Sequence, residues 1–153
     1  MRQCGNCRAC CTVLGVPSLK KPRYQACEHE CDKGCAIYKE RPDECKAYYC
    51  AWANNEEAGD PIGLKGEERP DKVGLFFDAT LHKTFGLLIV AHEVTEGLSK
   101  TYWGEKVLKR LSKRFLVAIV FGDQQRSMVG PPHLLRTAGE QMRQYALTGR
   151  FQE

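Results

Sequence analysis

The residues with the clearest chemistry are cysteines, and all nine of them lie within the first fifty residues of the 153-residue chain. Free thiols oxidise and exchange, and few sites need more than one of them. This concentration therefore indicates disulfides, metal binding or redox chemistry. The nine residues are Cys4, Cys7, Cys10, Cys11, Cys27, Cys31, Cys35, Cys45 and Cys50.

A disulfide scaffold is the first alternative, because small cysteine-dense segments are common in exported proteins. No apolar run of signal-peptide length precedes Cys4. The number of cysteines is odd, and a bridge between the adjacent Cys10 and Cys11 would be strained. These features favour thiols that are not paired in disulfides.

Metal binding agrees better with the spacing of the thiols. Cys4, Cys7 and Cys10 recur at every third residue, so one tight turn can direct all three sulfurs to a common centre. Gly5 lets the backbone pass close to such a centre. Two further cysteine groups, at 27–35 and 45–50, can fold back to complete the coordination. We therefore interpret all nine cysteines as candidate metal ligands.

The identity of the metal stays open at this point. A run of three thiolates with a remote fourth is typical of iron–sulfur proteins, whereas nine thiols also suffice for two closed four-cysteine zinc sites. Side chains of adjacent residues diverge in most backbone conformations. We therefore expect Cys10 and Cys11 to serve different centres, or one of them to be a bystander. His29 is an alternative ligand or a solvated residue between two glutamates.

These motifs resemble the CxxCxxCC cysteine-cluster family, the YkgJ-type zinc- or iron-chelating domain. The resemblance covers about residues 1–72 and rests on the cysteines in order, the Ile37-Tyr38 and Arg41-Pro42 pairs, and the segment 68–71. It implies metal chelation by the cysteines and little about activity. Cys31 is an addition that only some members share. A similar cluster in the flagellin lysine N-methylase keeps an iron–sulfur-dependent enzyme or enzyme accessory as an alternative.

Composition indicates an ordinary globular chain, with 42% hydrophobic and 27% charged residues. No stretch approaches the roughly 20 apolar residues of a membrane span, so we expect a cytoplasmic protein without a membrane partner. The sequence contains no phosphate-binding loop, nucleophile elbow or dinucleotide fingerprint, and a metal-free enzyme has no motif to support it. His92 and Glu93 are expected at the exposed end of a strand.

The predicted fold class is α+β. A cysteine-rich metal-binding module at 1–52, made of short helices and loops, is followed by a connector at 53–72 and an α+β part at 73–153. The module should pack on a small, mostly antiparallel sheet with two helices, as one compact domain. We predict strands at 73–79, 85–94, 116–121 and 126–129, and helices at 99–114 and 133–147.

Side-chain roles follow from these elements. Ser99 is the expected N-cap of the first long helix. Its core-facing residues are expected to be Trp103, Val107, Leu108, Leu111 and Phe115. Those of the last helix are Leu134, Leu135, Ala138, Met142 and Tyr145, with Gly149 as its stop. Residues 37–52 should form two short helices hinged at Arg41-Pro42. The expected apolar shell around the metal comprises Tyr38, Tyr48, Tyr49 and Trp52.

The helix at 99–114 is strongly basic. Six cations against Glu105 give this segment a net charge of +5, compared with +4 for the whole chain. Such a face can bind nucleic acid or an acidic protein, and a zinc-stapled nucleic-acid-binding module is a third alternative function. A solvated helix exterior is the simpler interpretation, because the pI of about 8.6 lies below the roughly 9 typical of nucleic-acid-binding domains.

Overall fold

The computed structural model describes residues 2–48, 50–54 and 61–148 of the chain. It confirms the α+β class. Helices α1 to α5 span Ala9–Val13, Asp43–Ala47, Pro70–Val73, Tyr102–Leu111 and Pro132–Thr148. Strands β1 to β6 span Glu30–Cys31, Gly34–Cys35, Leu75–His82, Gly86–Glu93, Leu116–Phe121 and Gln124–Val129. No helix within the described ranges is long and apolar enough to cross a membrane.

The four longer strands form one sheet in the order β3-β4-β5-β6. The β3–β4 and β5–β6 pairs are antiparallel hairpins, while β4 and β5 pair in parallel. The parallel pair requires a crossover, and α4 supplies it. The sheet is therefore mostly antiparallel, as the apolar runs predicted. The first hairpin is tighter than expected, because β3 extends through His82.

Helix α4 begins later than the sequence suggested. Residues Leu98–Lys100 form a separate 3-10 turn, and the Thr101 side chain, not that of Ser99, accepts the capping hydrogen bond from the Gly104 amide at 3.2 Å. The predicted N-cap was therefore wrong. Ser99 lies inside the 3-10 turn, so Thr101 is the residue that directly precedes the helix. The turn packs directly on the helix at Gly104, where a Cβ would lie 2.3 Å from the Leu98 carbonyl oxygen.

The assignment of Trp103 to the core was also wrong. Val107, Leu108 and Leu111 are buried as expected, but Trp103 is 47% exposed. It lies in the first turn of α4, and side chains there point back towards the N-terminus. In the last helix Ala138 is buried and Met142 is 54% exposed, so the predicted inward face is only partly correct. Gly149 lies outside the described residues.

The cysteine module contains little regular structure. Among its described residues, the regular elements are α1, α2 and the two-residue hairpin β1–β2, together with a short 3-10 turn at Pro17–Leu19. Residues 36–40 form turns. Of the two predicted helices, the one on the N-terminal side of Pro42 is therefore absent. The module contacts the sheet where Ala9 and Val13 of α1 pack against Phe76 of β3.

A buried ion pair ties the segment after the module to α4. Glu68 is 7% exposed and accepts hydrogen bonds from Nε and Nη2 of Arg110, the first at 2.8 Å. The same carboxylate accepts the Lys65 amide at 2.7 Å. A buried charge of this kind is tolerated only while its partners remain.

Removing the guanidinium should therefore destabilise the chain. We expect Arg110→Met to lower the free energy of unfolding by about 1–3 kcal/mol, because it leaves the Glu68 carboxylate without its cation. Urea denaturation followed by far-UV circular dichroism measures this. The control is Lys109→Met at the exposed neighbouring position, for which we expect less than about 0.5 kcal/mol. Equal losses from both variants would contradict the assignment.

Candidate metal centre

The cysteines converge on two adjoining cavities in the module. A cavity of about 230 Å³ is lined by Cys4, Cys7, Cys10, Cys11, Cys27, Cys35 and Cys45. A second, of about 600 Å³, is lined by Cys4, Cys10, Cys35, Cys45 and Cys50. Eight of the nine cysteines thus line one or both cavities, and Cys31 lines neither. His29 also lines the first cavity.

The electrostatic neighbours of the thiols fall into two sets. Cys10 and Cys50 both lie close to Cys4, and Cys50 also lies close to Cys7. Cys45, in contrast, has Cys11, Cys27 and Cys35 as its neighbours. We call the first set the Cys4 set (Cys4, Cys7, Cys10 and Cys50) and the second the Cys45 set (Cys11, Cys27, Cys35 and Cys45).

The adjacent pair joins the two sets. A hydrogen bond between the thiols, followed by burial, raises the pKa of Cys10, while the same hydrogen bond lowers the pKa of Cys11 to about 7. Lys21 and Arg8 assist the lowering at Cys11. The pair therefore behaves asymmetrically, with the Cys11 thiolate favoured over that of Cys10.

The thiols lie in one region of the module, but their sulfurs are not as close together as the ligands of one metal ion. Within the described ranges, no three His, Cys, Asp or Glu side chains are close enough to hold a metal ion. All nine cysteines are free thiols. The disulfide alternative thus has no support in the described structure, and any coordination would require the cysteine loops to close further.

Backbone amides are already directed at two sulfurs of the Cys4 set. Burial raises the pKa of Cys7, but the amides of Ala9 and Asp71 form hydrogen bonds that oppose this effect. Cys50 has a pKa of about 11, raised by burial and opposed by hydrogen bonds from the amides of Trp52 and Ala53. Amide donors to sulfur stabilise thiolates and tune the clusters that they bind.

Cations lie beside the Cys45 set. Lys21 is only 9% exposed, and its Nζ donates to the carbonyls of Thr12, Leu14 and Pro22. Burial lowers the pKa of Lys21, and the nearby thiols, with Cys27 first, oppose that shift. A buried ammonium is stable here because it faces carbonyl oxygens and sulfur.

A carboxylate in the same region is only half satisfied. Glu30 Oε1 lies 3.4 Å from Arg8 Nη1, whereas Glu30 Oε2 is buried and has no hydrogen-bond partner among the described residues. Glu30 also lies close enough to Cys11 to raise its pKa. An unpartnered buried carboxylate oxygen beside a thiol is an arrangement that a bound cation would satisfy.

Residues outside the module shape the first cysteine loop. Arg69 makes a two-pronged ion pair with Asp71, at 2.6 and 2.8 Å, and donates to the Asn6 side chain at 3.0 Å and to the Cys4 carbonyl at 3.4 Å. A Cβ at Gly5 would lie 3.3 Å from this guanidinium. The sequence motifs predict no site role for Arg69 or Asp71, although the segment 68–71 is part of the resemblance to the cysteine-cluster family.

The predicted aromatic shell is only partly present. Tyr38 and Tyr48 line both cavities, although Tyr38 is 55% exposed. Trp52 instead belongs to the main core and donates through Nε1 to the Lys65 and Gly66 carbonyls at 3.0 Å. Tyr49 lies outside the described residues.

A polar network centred on Asp78 connects the module to the sheet, and the exposed position predicted for His92 was wrong. His92 is 6% exposed and Glu93 is 3% exposed. Tyr48 donates to Asp78 Oδ1 at 2.9 Å, and His92 Nε2 lies 3.1 Å from Asp78 Oδ2. Because a carboxylate can only accept, His92 Nε2 carries the proton and Nδ1 accepts from the Tyr24 hydroxyl at 2.6 Å.

This network holds Tyr24 in an unusual backbone conformation. Its φ is +58°, a left-handed value that is costly for a bulky residue. The ring of Tyr24 packs edge-on against Phe121, and its hydroxyl binds His92. The loop between the first two cysteine groups is therefore anchored to β4 and β5 at one point.

We expect Asp78→Ala to destabilise the protein by about 1–3 kcal/mol, because Tyr48 and His92 lose their shared acceptor. The free energy of unfolding measures this, and Thr80→Ala, at an exposed position of the same strand, is the control. In a double-mutant cycle, Tyr48→Phe should cost less in the Asp78→Ala background than in the wild type. Strict additivity would contradict the network.

The pH dependence gives a second measurement on the same variant. Burial would raise the pKa of Asp78, but hydrogen bonds from His92 and Tyr48 outweigh it, so the pKa lies below its ordinary 3.8. The stabilisation from this carboxylate is therefore present above the ordinary pKa and is lost as pH falls through the folded value. The wild type should lose its advantage over Asp78→Ala below about pH 4. A pH-independent difference between the two would contradict this.

No family model, curated protein or solved structure matches the chain. Its resemblance to the cysteine-cluster family thus remains a prediction that depends on the motif residues. The features that indicate its function are the thiols, the cations beside them and the contacts that position both.

Proposed function

We propose that this protein binds metal through two four-thiolate centres; metal chelation by the cysteines is what its resemblance to the CxxCxxCC cysteine-cluster family implies. The Cys4 set holds one centre and the Cys45 set holds the other. Cys31 stands outside both. The observation that carries this proposal is the convergence of eight thiols on two adjoining cavities, within which the Cys4 set and the Cys45 set are groups of electrostatic neighbours.

The adjacent cysteines explain why two centres fit better than one. Cys10 has Cys4 and Cys50 as neighbours, whereas Cys11 is a neighbour of Cys45. The two thiols are in contact with each other, but their other thiol neighbours differ, so each can complete a different group of four. A single four-thiolate centre would have to use one of them and leave the other half-buried thiol without a role.

The surroundings supply charge compensation for bound thiolates. Four thiolates around a zinc ion, or around an oxidised four-iron cluster, leave a net charge of −2. Amide donors at Cys7 and Cys50 and the cations Lys21 and Arg8 oppose that charge.

An all-thiolate donor set accepts zinc or an iron–sulfur cluster. Zinc would supply a closed structural site, and a cluster would supply electron transfer. In either case binding would complete the folding of loops that contain little regular structure, since thiolate sites couple metal affinity to folding. Free thiols persist in reducing compartments, so we place the protein in the cytoplasm as part of this proposal.

Serine variants of the adjacent pair test the two-centre arrangement. Cys10→Ser should lose the centre of the Cys4 set, and Cys11→Ser should lose that of the Cys45 set. Each single variant should therefore retain about half of the wild-type metal, and the double variant almost none. Inductively coupled plasma mass spectrometry on protein purified without oxygen measures the ratio.

Cys31→Ser is the matched control, and we expect it to keep the full metal content. If the double variant retained as much metal as either single variant, both thiols would serve one centre and the proposal would be wrong. If Cys10→Ser, Cys11→Ser and the double variant all kept the full metal content, neither thiol would be a metal ligand.

The metal itself is identified by anaerobic purification followed by absorption spectroscopy. An iron–sulfur protein should be brown, with iron and acid-labile sulfide in proportion, as the run of Cys4, Cys7 and Cys10 with a remote Cys50 suggests. A colourless protein with two zinc ions per chain would instead indicate two closed structural sites. Purified protein with neither metal, and no uptake on reconstitution, would contradict the proposal.

A further inference from the structure

The surface between the 3-10 turn Gly66–Glu68, α3 and the start of α4 contains a groove of about 560 Å³. Its lining residues are Trp52, Gly66, Glu67, Arg69, Lys72 and Trp103. None of them lines either thiol cavity. The groove is therefore a separate feature, and its interpretation does not depend on metal binding.

Two large aromatic side chains are exposed at the start of α4, where Trp103 lines the groove and Tyr102 is its neighbour. Trp103 is 47% exposed and Tyr102 is 70% exposed. Their ring centroids are 5.1 Å apart in an edge-on arrangement. Adjacent exposed aromatics leave apolar surface in water, and such surfaces commonly mark binding sites.

Cations accompany the aromatics. Lys106 Nζ lies 4.8 Å from the centroid of the Trp103 ring and 5.8 Å from that of Tyr102. Lys109 follows on the same face of α4, and Lys72 lies across the groove. Of the described carboxylates, none lies within 4.0 Å of the ammonium groups of these three lysines.

We propose that this groove binds single-stranded nucleic acid. Unpaired bases would stack on Trp103 and Tyr102, and backbone phosphates would contact Lys72, Lys106 and Lys109. Alternating aromatic and cationic side chains are the features by which proteins bind single strands without sequence preference. Lys72, Lys106 and Lys109 outnumber the lining carboxylate of Glu67, so the net charge of these residues is complementary to a phosphate backbone.

The structure argues against a lipid surface as the occupant. An interfacial helix needs an aliphatic face to insert among lipids. In α4 the aliphatic side chains Val107, Leu108 and Leu111 are all buried in the protein core. The exposed side of α4 instead carries aromatic and charged residues, and Trp103 lines a concave groove.

Fluorescence anisotropy with labelled oligothymidylate and oligouridylate of 15 nucleotides tests the proposal, using the full-length protein with its metal content as purified. We expect binding whose affinity falls with salt, with a slope of about −2 in log–log form if three phosphates are contacted. Trp103→Ala should weaken binding at least about fivefold, the lower end for one lost stacking contact. Trp103→Phe should retain most of the affinity.

Two further variants separate stacking from charge. Lys106→Gln should reduce the salt slope by about 0.7. Lys83→Gln, at an exposed position in the β3–β4 turn, removes one charge elsewhere and should leave both slope and affinity unchanged. Because Trp52 is only 7% exposed, nucleic acid should quench mainly the Trp103 fluorescence, and Trp103→Phe should abolish that quenching.

Several results would overturn the proposal. One is the absence of binding at 50 mM salt. Another is equal affinity for duplex and single strands with no effect of Trp103→Ala. A third is binding to phosphatidylserine-containing vesicles or to polyglutamate in preference to the oligonucleotides. Thermal unfolding of each variant shows whether a loss of binding reflects a loss of fold, and the Lys106→Gln slope remains decisive if Trp103→Ala fails to fold.

Discussion

The carboxylate of Asp78 is the polar contact that fixes the cysteine module on the sheet, beside the apolar packing of α1 against Phe76. It accepts hydrogen bonds from Tyr48, which lies between the cysteines of the third group, and from His92, which in turn binds Tyr24. Both tyrosines belong to segments with little regular structure. Their attachment to β3 and β4 therefore limits where the adjoining cysteines can lie, and the two thiol sets depend on it.

Gathering eight thiols in one region creates an electrostatic problem. Burial raises the pKa values of Cys45 and Cys50, and the neighbouring thiols raise them further. The hydrogen bond with Cys11, followed by burial, raises the pKa of Cys10. Backbone amides and the buried Lys21 relieve part of this cost. A bound cationic centre would relieve the rest, which is the physical reason for interpreting the region as a metal site.

Arg69 links the cysteine loop with the surface groove. Its guanidinium contacts Asp71, Asn6 and the Cys4 carbonyl, and the same residue lines the aromatic and cationic groove. The neighbouring Glu68 ties the same segment to Arg110 of α4. The segment 68–71 thus holds the first cysteine loop and the basic helix in one arrangement, although the thiol cavities and the groove share no residue.

The sequence alone determined the features that depend on local pattern. The α+β class, the four sheet strands and the candidate ligands all follow from apolar runs and cysteine spacing, which act over a few residues. Tertiary structure decided the grouping of the thiols, the burial of His92 and the exposure of Trp103. Whether a strand end or a first helical turn is covered depends on which distant segment packs there. His92 is covered by Tyr24, 68 positions earlier in the chain, whereas the described residues leave Trp103 47% exposed, and no local periodicity encodes that difference.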